Sequence, residues 1–536
     1  MIEKLNKYST LLLLAILILS MYEAFRVPRL VDDAFISFRY AENLINGNGL
    51  IWNLGDAPVE GYSNFLWTVL IAIAMKIGVH PEQAVFFLSF PIHLLALLLI
   101  WKVARLTLKN DLGAIFVLAA AGLNHSLYGF ATSGLETSLQ LLTFMAVWYL
   151  LITGMQSGWT IRRTILLSLL LALSIFNRPD SGLLIAFAGW IWFATIRERS
   201  PHHLPALIFP FALLVAPWLV WKFAFYGSLL PNSFHAKVRG VSGVGYGLYY
   251  VYLFIMHYML APYLLIIAAN FLRIRRDSPA IGYMIIFTAA WFVYVILSGG
   301  DFMEFRFFVP VLPLLLIAIV ASLGAAFTNR ATRIALCLVF LLATINNARD
   351  IENVFFAKGV EKLESLTGHI YAHGENWIAI GKQLHKLFDG TDVSICAGAA
   401  GAIPYYSKLY TVDFLGLNDK DIPPIAEHFS EVAGHRIIAP LDYIHERGVN
   451  LIVQPIRLMF PNDQFEHFAR QARWTDAYGF FFDLDKPVDG QLLREITLLG
   501  IPLEHGYTLV VWYLNPHPKV DEIIRTYGLR TIILRR

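Results

Sequence analysis

The sequence predicts a polytopic α-helical membrane protein with a C-terminal α/β domain outside the bilayer, and three observations lead to this fold class. Of 536 residues, 57% are hydrophobic and only 15% are charged, whereas a typical soluble protein has about 25% charged residues. The apolar runs are dense up to Asn347, and from Asp350 onward the composition is that of a globular domain. Period-two alternation is absent from the apolar runs, so the predicted spans are helices.

The predicted domain boundary lies near residue 348, with a transmembrane domain at 1–348 and an α/β domain at 349–536. A bilayer span needs about 20 mostly apolar residues. The first apolar run is interpreted as an uncleaved anchor, because Tyr22 and Glu23 stand where small residues precede a cleavage site. About eleven segments are predicted to span the membrane: 8–25, 83–101, 111–128, 135–153, 163–177, 182–196, 203–224, 249–272, 280–298, 306–327 and 332–347.

One further apolar run, 65–77, is excluded from the spans by the positive-inside rule. If Lys4 and Lys7 are cytoplasmic, this run must stay at the outer face for the later basic clusters to be cytoplasmic too. The odd number of spans then places the C-terminal domain outside. The clusters are Lys102/Arg105/Lys109, Arg162/Arg163, Arg197/Arg199, Arg273/Arg275/Arg276 and Arg330/Arg333.

The sequence lacks the features that several functional classes require. The net charge of +3 is too small to indicate nucleic-acid binding. The two cysteines, Cys337 and Cys396, lie in different parts of the chain and are predicted to be free. The sequence has no zinc, EF-hand or P-loop motif, so no cofactor is assigned, although a divalent cation stays open.

Polar residues in unusual contexts gather in the predicted outer loops. Acidic residues at a membrane edge are costly and need a reason. Their repetition in five loops on one side predicts an electronegative pocket with a cationic rim. The residues concerned are Asp32, Asp33, Arg39, Glu60, Tyr62, Asn64, Glu136, Arg178, Asp180, Asn232, His235, Lys237, Asp301 and Arg306.

These residues also have structural interpretations, which the sequence leaves open. Asp32 or Asp33 could cap the helix that follows, and Glu136 suits the positive end of its own helix. Local ion pairs are an equal alternative for Arg178–Asp180 and for Asp301–Arg306. A solvated loop is favoured over a binding role for His235 and Lys237.

The chemistry that this set of residues favours is glycosyl transfer from a polyprenyl-phosphate sugar. A partly desolvated carboxylate can act as a general base, and arginine binds phosphate through paired N–H groups. The acceptor hydroxyl would lose its proton and attack the anomeric carbon while the lipid phosphate departs toward the cations. A flippase or transporter for a lipid-linked sugar is the alternative, but it would place its polar residues at the midplane of repeated helices.

An ordered set of motifs resembles the GT-C glycosyltransferases, in particular bacterial arabinofuranosyltransferases of the mycobacterial terminal type and of the type that modifies type IV pilins. Ser181 departs from the pattern, since family members more often carry glycine after Arg-Pro-Asp. The motifs are Asp32–Ala41, Glu60–Trp67, Ser133–Thr137, Arg178–Asp180, Tyr226–Phe234, Gly299–Asp301 with Arg306–Phe307, Gly398–Gly401 and Asp413–Asp419.

The resemblance implies an inverting glycosyltransferase of the bacterial inner membrane, with a cytoplasmic N-terminus and a periplasmic C-terminal domain. It implies juxtamembrane helices in the first outer loop and a catalytic base there, either Asp33 or Asp32. The expected sugar is arabinofuranose, with mannose or another pentose as alternatives. The expected partners are a polyprenyl-phosphate sugar donor, a glycan or pilin-like protein acceptor, and membrane lipid.

Carried over residue by residue, the resemblance gives sugar-binding roles to Glu60, Glu136 and Asp301 and phosphate-binding roles to Arg178 and Arg306. Further substrate-binding residues are expected among the remaining polar side chains of the outer loops. They are Arg39, Tyr62, Asn64, Asp180, Asn232, His235 and Lys237.

The C-terminal part is predicted to be mixed α/β. The Gly398–Gly401 turn after the first predicted strand could be an anion site, but close packing is the favoured explanation because no Lys accompanies it. Strands rich in β-formers are predicted at 393–397, 409–413, 450–454 and 507–513, and helices at 352–366, 373–388 and 462–473.

Overall fold

The computed structural model describes residues 7–196, 201–237, 243–347, 360–372, 374–455 and 458–536. The described chain is helical through Asn347 and mixed α/β from Val360 onward, which confirms the predicted fold class. The domain boundary predicted near 348 falls outside the described residues and stays a prediction.

The first part of the described chain contains sixteen α-helices. They are α1 (Lys7–Phe25), α2 (Asp32–Ile45), α3 (Phe65–Lys76), α4 (Pro81–Leu108), α5 (Asp111–Gly122), α6 (His125–Gly129), α7 (Thr137–Ser157), α8 (Ile161–Asn177), α9 (Gly182–Thr195), α10 (His203–Tyr226), α11 (Asn232–Lys237), α12 (Gly243–His257), α13 (Ala261–Asp277), α14 (Pro279–Ser298), α15 (Leu312–Ala326) and α16 (Arg330–Asn347).

Five described helices, α1, α4, α7, α10 and α14, are long and apolar enough to cross a bilayer, or up to seven spans if each of two bent helix pairs counts as one. The predicted total of about eleven spans therefore stays a prediction. The short helix α3 has 12 residues, or about 18 Å at the helical rise, against about 30 Å of hydrocarbon. Its length agrees with its exclusion from the spans.

Three predicted spans are interrupted, and the single helix predicted at 249–272 is wrong. Helices α12 and α13 meet at 97°, because Met259 takes a left-handed φ of 49° and a proline opens α13, where its missing N–H is tolerated. The segment 111–128 bends by 62° where Asn124 caps α6 through its side chain. The last of the three, 306–327, becomes α-helical only at Leu312.

The C-terminal part contains a seven-stranded sheet flanked by helices. Its order is β11-β9-β10-β5-β1-β2, with β6 paired to β10. The elements are α17 (Leu363–Tyr371), α18 (Trp377–Phe388), β1 (Ser394–Ala397), α19 (Ala402–Ser407), β2 (Tyr410–Asp413), α20 (Ile422–Ile425), β3 (Glu427–His428), β4 (Ile437–Ile438), α21 (Leu441–Glu446), β5 (Leu451–Val453), β6 (Met459–Pro461), α22 (Asn462–Gln471), β7 (Pro487–Val488), β8 (Gln491–Leu492), β9 (Glu495–Pro502), β10 (Tyr507–Tyr513), α23 (Pro518–Tyr527) and β11 (Arg530–Arg535).

All four predicted strands are present as β1, β2, β5 and β10, and the predicted helices 373–388 and 462–473 correspond to α18 and α22. The helix predicted at 352–366 falls mostly outside the described residues. The long strand β9 was missed because Gly500 and Pro502 resemble turn residues. Gly500 is needed inside the strand, since a Cβ there would lie 2.3 Å from the ring of Phe465.

Three strands, β5, β1 and β2, are parallel and adjacent, so their carboxyl ends share one edge of the sheet. That edge faces the first turn of α2, which belongs to the membrane part. The rest of the sheet is antiparallel and continues away from this contact. The fold therefore places the start of α2 against the carboxyl edge of the parallel strands.

Arg39 on α2 stabilises this junction. Its guanidinium donates to the carbonyls of Trp52, Pro404 and Leu409 and to the side-chain oxygen of Asn53, at 2.9–3.0 Å. It also lies over the Trp52 ring, 4.5 Å from the centroid. A buried arginine with four protein acceptors joins the two parts of the chain.

Replacing Arg39 by lysine should destabilise the whole chain, because an ammonium group cannot reproduce the planar fork. Each buried carbonyl left without a donor costs about 1–3 kcal/mol, so Tm in detergent should fall by several degrees. Arg535→Lys, at an exposed ion pair with Glu495, is the control and should leave Tm unchanged. Equal Tm values for the two variants would show that Arg39 does not hold the junction.

Candidate functional site

A cavity of about 120 Å³ lies between the start of α2 and the C-terminal part. One wall is the first turn of α2 with Asp33, and the opposite wall is the carboxyl edge of β1, β2 and β5, including Gly398 and Gln454. A third wall comes from α17 and α18 with His369 and Trp377. The cavity thus forms only where the two parts of the chain meet.

The two tandem aspartates have different surroundings. Val31 is the N-cap of α2 and no side chain caps this helix, so the capping role considered for the aspartates is wrong. Asp32 accepts hydrogen bonds from the backbone N–H groups of Gly401 at 2.8 Å and Ala402 at 2.7 Å. Burial raises the pKa of Asp32 to about 7, against the effect of these two donors.

The Gly398–Gly401 turn shows both features considered in the sequence analysis, close packing and anion binding. Close packing is present, because a Cβ on Gly398 would lie 2.4 Å from the Phe414 ring. A Cβ on Gly401 would lie 1.9 Å from the Asp32 carbonyl oxygen, so only glycine permits the backbone hydrogen bond. The turn binds an anion, and that anion is the Asp32 carboxylate of the same chain.

Asp33 lines the cavity and is half-buried. Among the residues that the structure describes, none donates a hydrogen bond to its carboxylate or forms an ion pair with it. A half-buried carboxylate without a protein partner, facing a cavity, is available to a ligand. The geometry therefore distinguishes the two aspartates that the sequence could not separate.

A buried ion-pair network lies behind the same face of α2. Glu136 accepts from Arg178 and, at 2.8 Å, from the amide of Asn64. Arg178 also pairs with Asp180 at 2.8 Å.

The second half of the network is the pair Asp301–Arg306, in which two guanidinium nitrogens lie 2.7 Å from one carboxylate oxygen. The Phe307 ring lies near both guanidinium groups, 5.3 Å from Arg178 and 5.6 Å from Arg306. Three carboxylates, the third being Asp180, face two guanidinium groups here, so the network carries one excess negative charge when ionised.

Ser37 connects this network to α2. Its hydroxyl contacts the Asn64 side chain at 3.2 Å, and Asn64 in turn donates to Glu136. Ser37 lies one helical turn after Asp33, so the two side chains share a face of α2, about 5–6 Å apart. Asn64, Glu136 and Arg178 are therefore connected to the helix that carries Asp33.

Glu60 and Tyr62 belong to a separate cluster. Glu60 forms a buried ion pair with Lys222 at 2.8 Å, and burial raises the pKa of Glu60 to about 7 although Lys222 opposes this. The Tyr62 hydroxyl lies 3.1 Å from that of Tyr226. Lys222 was missed because it lies in a predicted span, although a charged residue inside an apolar run is a signal of function or pairing.

The remaining predicted residues lie away from the cavity. Arg39 is committed to the junction described above. Asn232 donates to the carbonyls of Gly416 and Asp419 at 2.8 and 3.0 Å, which joins α11 to the C-terminal part. His235 is exposed on α11, and the side chain of Lys237 lies outside the described residues. The structure thus distributes the predicted side chains over several clusters rather than one pocket.

The C-terminal wall of the cavity contains residues that the sequence analysis did not select. His369 lies between Glu361 and Glu375 and its ring stacks on Trp377 with centroids 4.8 Å apart. Burial lowers the basicity of this imidazole, but the two carboxylates prevail and raise the pKa of His369 to about 10. No local motif marks these residues, because their proximity arises only from tertiary folding.

Among the described residues, one group could hold a metal ion. Ligand atoms of His125, Glu304 and Glu364 lie within 4.8 Å of one another. His125 uses Nδ1 for Glu304 at 2.8 Å and Nε2 for Glu364 at 2.7 Å. Because both ring nitrogens already face carboxylates, a protonated imidazole satisfies this geometry, and a metal would have to displace one contact.

Sequence comparisons relate the chain to known enzymes. It is 28% identical over 352 residues to a curated protein named terminal beta-(1->2)-arabinofuranosyltransferase from Corynebacterium glutamicum, covering 58% of this chain and 50% of that one. A protein of the same name from Mycobacterium tuberculosis is 24% identical over 314 residues, covering 52% and 50%. The chain spans about half the length of these curated relatives.

A family model described as Domain of unknown function (DUF8728) matches residues 368–498, which include all three parallel strands. Among solved structures, ArnT from Cupriavidus metallidurans bound to undecaprenyl phosphate aligns with a TM-score of 0.55 at 13% identity, covering 94% of this chain and 97% of that one. The chain has the GT-C fold and resembles the terminal arabinofuranosyltransferases.

The His369 contacts predict a pH-dependent stability. A histidine whose folded pKa is raised contributes stability that is complete below about pH 6.5 and is lost as pH rises toward 10. The Tm difference between the unmodified chain and His369→Gln should therefore be largest near pH 6 and shrink toward pH 10. His467→Gln, at an exposed position, is the control; a difference that does not change with pH would contradict the protonated state of His369.

Proposed function

We propose that the chain is an inverting glycosyltransferase of the bacterial inner membrane that moves a sugar from a polyprenyl-phosphate donor to an acceptor hydroxyl on the periplasmic side. The observation that carries this proposal is Asp33, an available carboxylate facing a cavity beside a buried arginine network. The GT-C fold and the names of the relatives support the same reaction class.

In this reaction Asp33 acts as the general base. It takes the proton of the acceptor hydroxyl, whose oxygen attacks the anomeric carbon of the donor sugar. The bond from that carbon to the phosphate oxygen breaks, and the electron pair leaves with the polyprenyl phosphate. One bond forms and one breaks at opposite faces of the carbon, so the configuration inverts.

The arginine network supports departure of the phosphate. Arg306 directs two of its five N–H donors to Asp301, which leaves donors that no described residue accepts. Arg178 is held by Glu136 and Asp180 in a dry environment, where its charge acts strongly. Guanidinium groups of this kind suit a phosphate whose charge develops in the transition state.

The relatives support arabinofuranose as the sugar, since both carry that sugar in their printed names. ArnT was solved with undecaprenyl phosphate, which supports a polyprenyl-phosphate donor. For the acceptor, a glycan and a protein hydroxyl are both consistent with the reaction. Mannose or another pentose is the alternative sugar and belongs in the donor panel of the test.

The test compares two neighbouring aspartates with the same conservative change. Asp33→Asn should lower the rate of sugar transfer by about 10²–10⁴-fold with little change in Tm. Asp32→Asn should lower Tm, because its amide would face the backbone donors of Gly401 and Ala402 at a cost of about 1–3 kcal/mol. Asp463→Asn, at an exposed position, is the control for both measurements.

Purified protein would be assayed with radiolabelled polyprenyl-phosphate arabinofuranose, mannose and ribose. Release of polyprenyl phosphate with transfer of the label supports the proposal. Full activity of Asp33→Asn would remove Asp33 as the base. Movement of the donor across a vesicle bilayer without transfer would replace the transferase by a flippase.

A further inference from the structure

The carboxyl edge of the parallel strands has the position at which open α/β sheets bind ligands, outside the carboxyl ends of adjacent strands. Here the residues that follow β1, β2 and β5 all line the cavity: Gly398, Phe414 and Gln454. The opposite wall carries Asp33. A group held at this edge would therefore lie between the sheet and the proposed base.

Gln454 is the polar side chain of this edge. It follows β5 directly, is only 3% exposed and lines the cavity. Within the described part of the chain, no residue forms a hydrogen bond with its amide. Its amide is open to the cavity and is therefore available to a ligand that supplies both a donor and an acceptor, as a hydroxyl group does.

Trp377 adds an independent indication in another wall of the cavity. It is 6% exposed, and its indole N–H is buried without an acceptor among the described residues. Its ring is held by stacking on His369. A rigid aromatic ring with a spare N–H donor suits a ligand that has an apolar face and hydroxyl groups, which describes a sugar ring.

The charge of the cavity separates the acceptor from the donor phosphate. The described residues that line it include the acids Asp32, Asp33 and Glu361 and the protonated His369, which two carboxylates already hold, but neither lysine nor arginine. An anionic phosphate is disfavoured here, and the arginines of the buried network are not among the lining residues. The cavity therefore suits a neutral hydroxyl-bearing group that approaches Asp33.

The lining of the cavity indicates the kind of acceptor. It combines the Trp377 ring and its indole N–H with the Gln454 amide, which suits a sugar ring with an apolar face and hydroxyl groups. We propose that the carboxyl edge of β1, β2 and β5 is the acceptor subsite, and that Gln454 and Trp377 bind the terminal sugar of a glycan acceptor. This inference rests on the proposed function and names its acceptor class.

The test measures acceptor and donor kinetics separately. The glycan probe is an octyl glycoside of an arabinofuranose disaccharide, the protein probe is a serine-containing peptide, and the donor is radiolabelled polyprenyl-phosphate arabinofuranose. Gln454→Leu should raise KM for the glycan probe about tenfold, with KM for the donor and release of polyprenyl phosphate to water unchanged. Gln471→Leu, at an exposed position, is the matched control.

Trp377→Phe keeps an aromatic ring and removes the indole N–H. It carries the test if Gln454→Leu does not fold, and it should raise the same KM. A rise in donor KM, an unchanged glycan KM in both variants, or transfer to the peptide instead of the glycan would overturn the inference. Equilibrium binding of the glycan probe by calorimetry gives a readout without turnover. If the unmodified chain binds the probe and Gln454→Leu weakens binding but no sugar is transferred, the proposed function fails while the subsite stands.

Discussion

The contact on which the rest of the site depends is the pair of hydrogen bonds from the backbone of Gly401 and Ala402 to the carboxylate of Asp32. These bonds bring the carboxyl edge of the C-terminal sheet onto the first turn of α2. With Asp32 committed to the C-terminal part, its neighbour Asp33 is directed into the cavity between the two parts. The fold thus uses one aspartate to build the site and leaves the other available for chemistry.

The second constraint is the cost of burying charge near a bilayer. Glu136, Arg178 and Asp301 are each at most 9% exposed, and ionised groups in such surroundings need partners. The described network satisfies them with one another and with the amide of Asn64. Because Ser37 connects Asn64 to α2, the pairing that makes the buried charges tolerable also fixes the network to the helix that carries Asp33. The ion pairs that stabilise the buried charges therefore involve the same arginines that the proposed reaction uses.

Several features could be predicted from the sequence because they depend on local composition and periodicity. The apolar runs located α1, α4, α7 and α10 closely, and β-rich segments located the strands β1, β2, β5 and β10. The bend between α12 and α13 was missed, since its apolar composition continues across the break and only the backbone at Met259 shows the interruption. Strand β9 was not predicted, and its Gly500 makes room for Phe465.

The sequence by itself determined the fold class, the concentration of polar residues in a few loops, and Asp32 and Asp33 as candidates for one role. These depend on composition and on neighbours along the chain. Only the tertiary structure decided which aspartate has protein partners, that Arg178 pairs with Glu136, and that Gln454 and Trp377 share a cavity with Asp33. The physical reason is that such assignments depend on contacts between residues distant in the sequence, and Asp32 and Gly401 meet only when the two parts of the chain pack together.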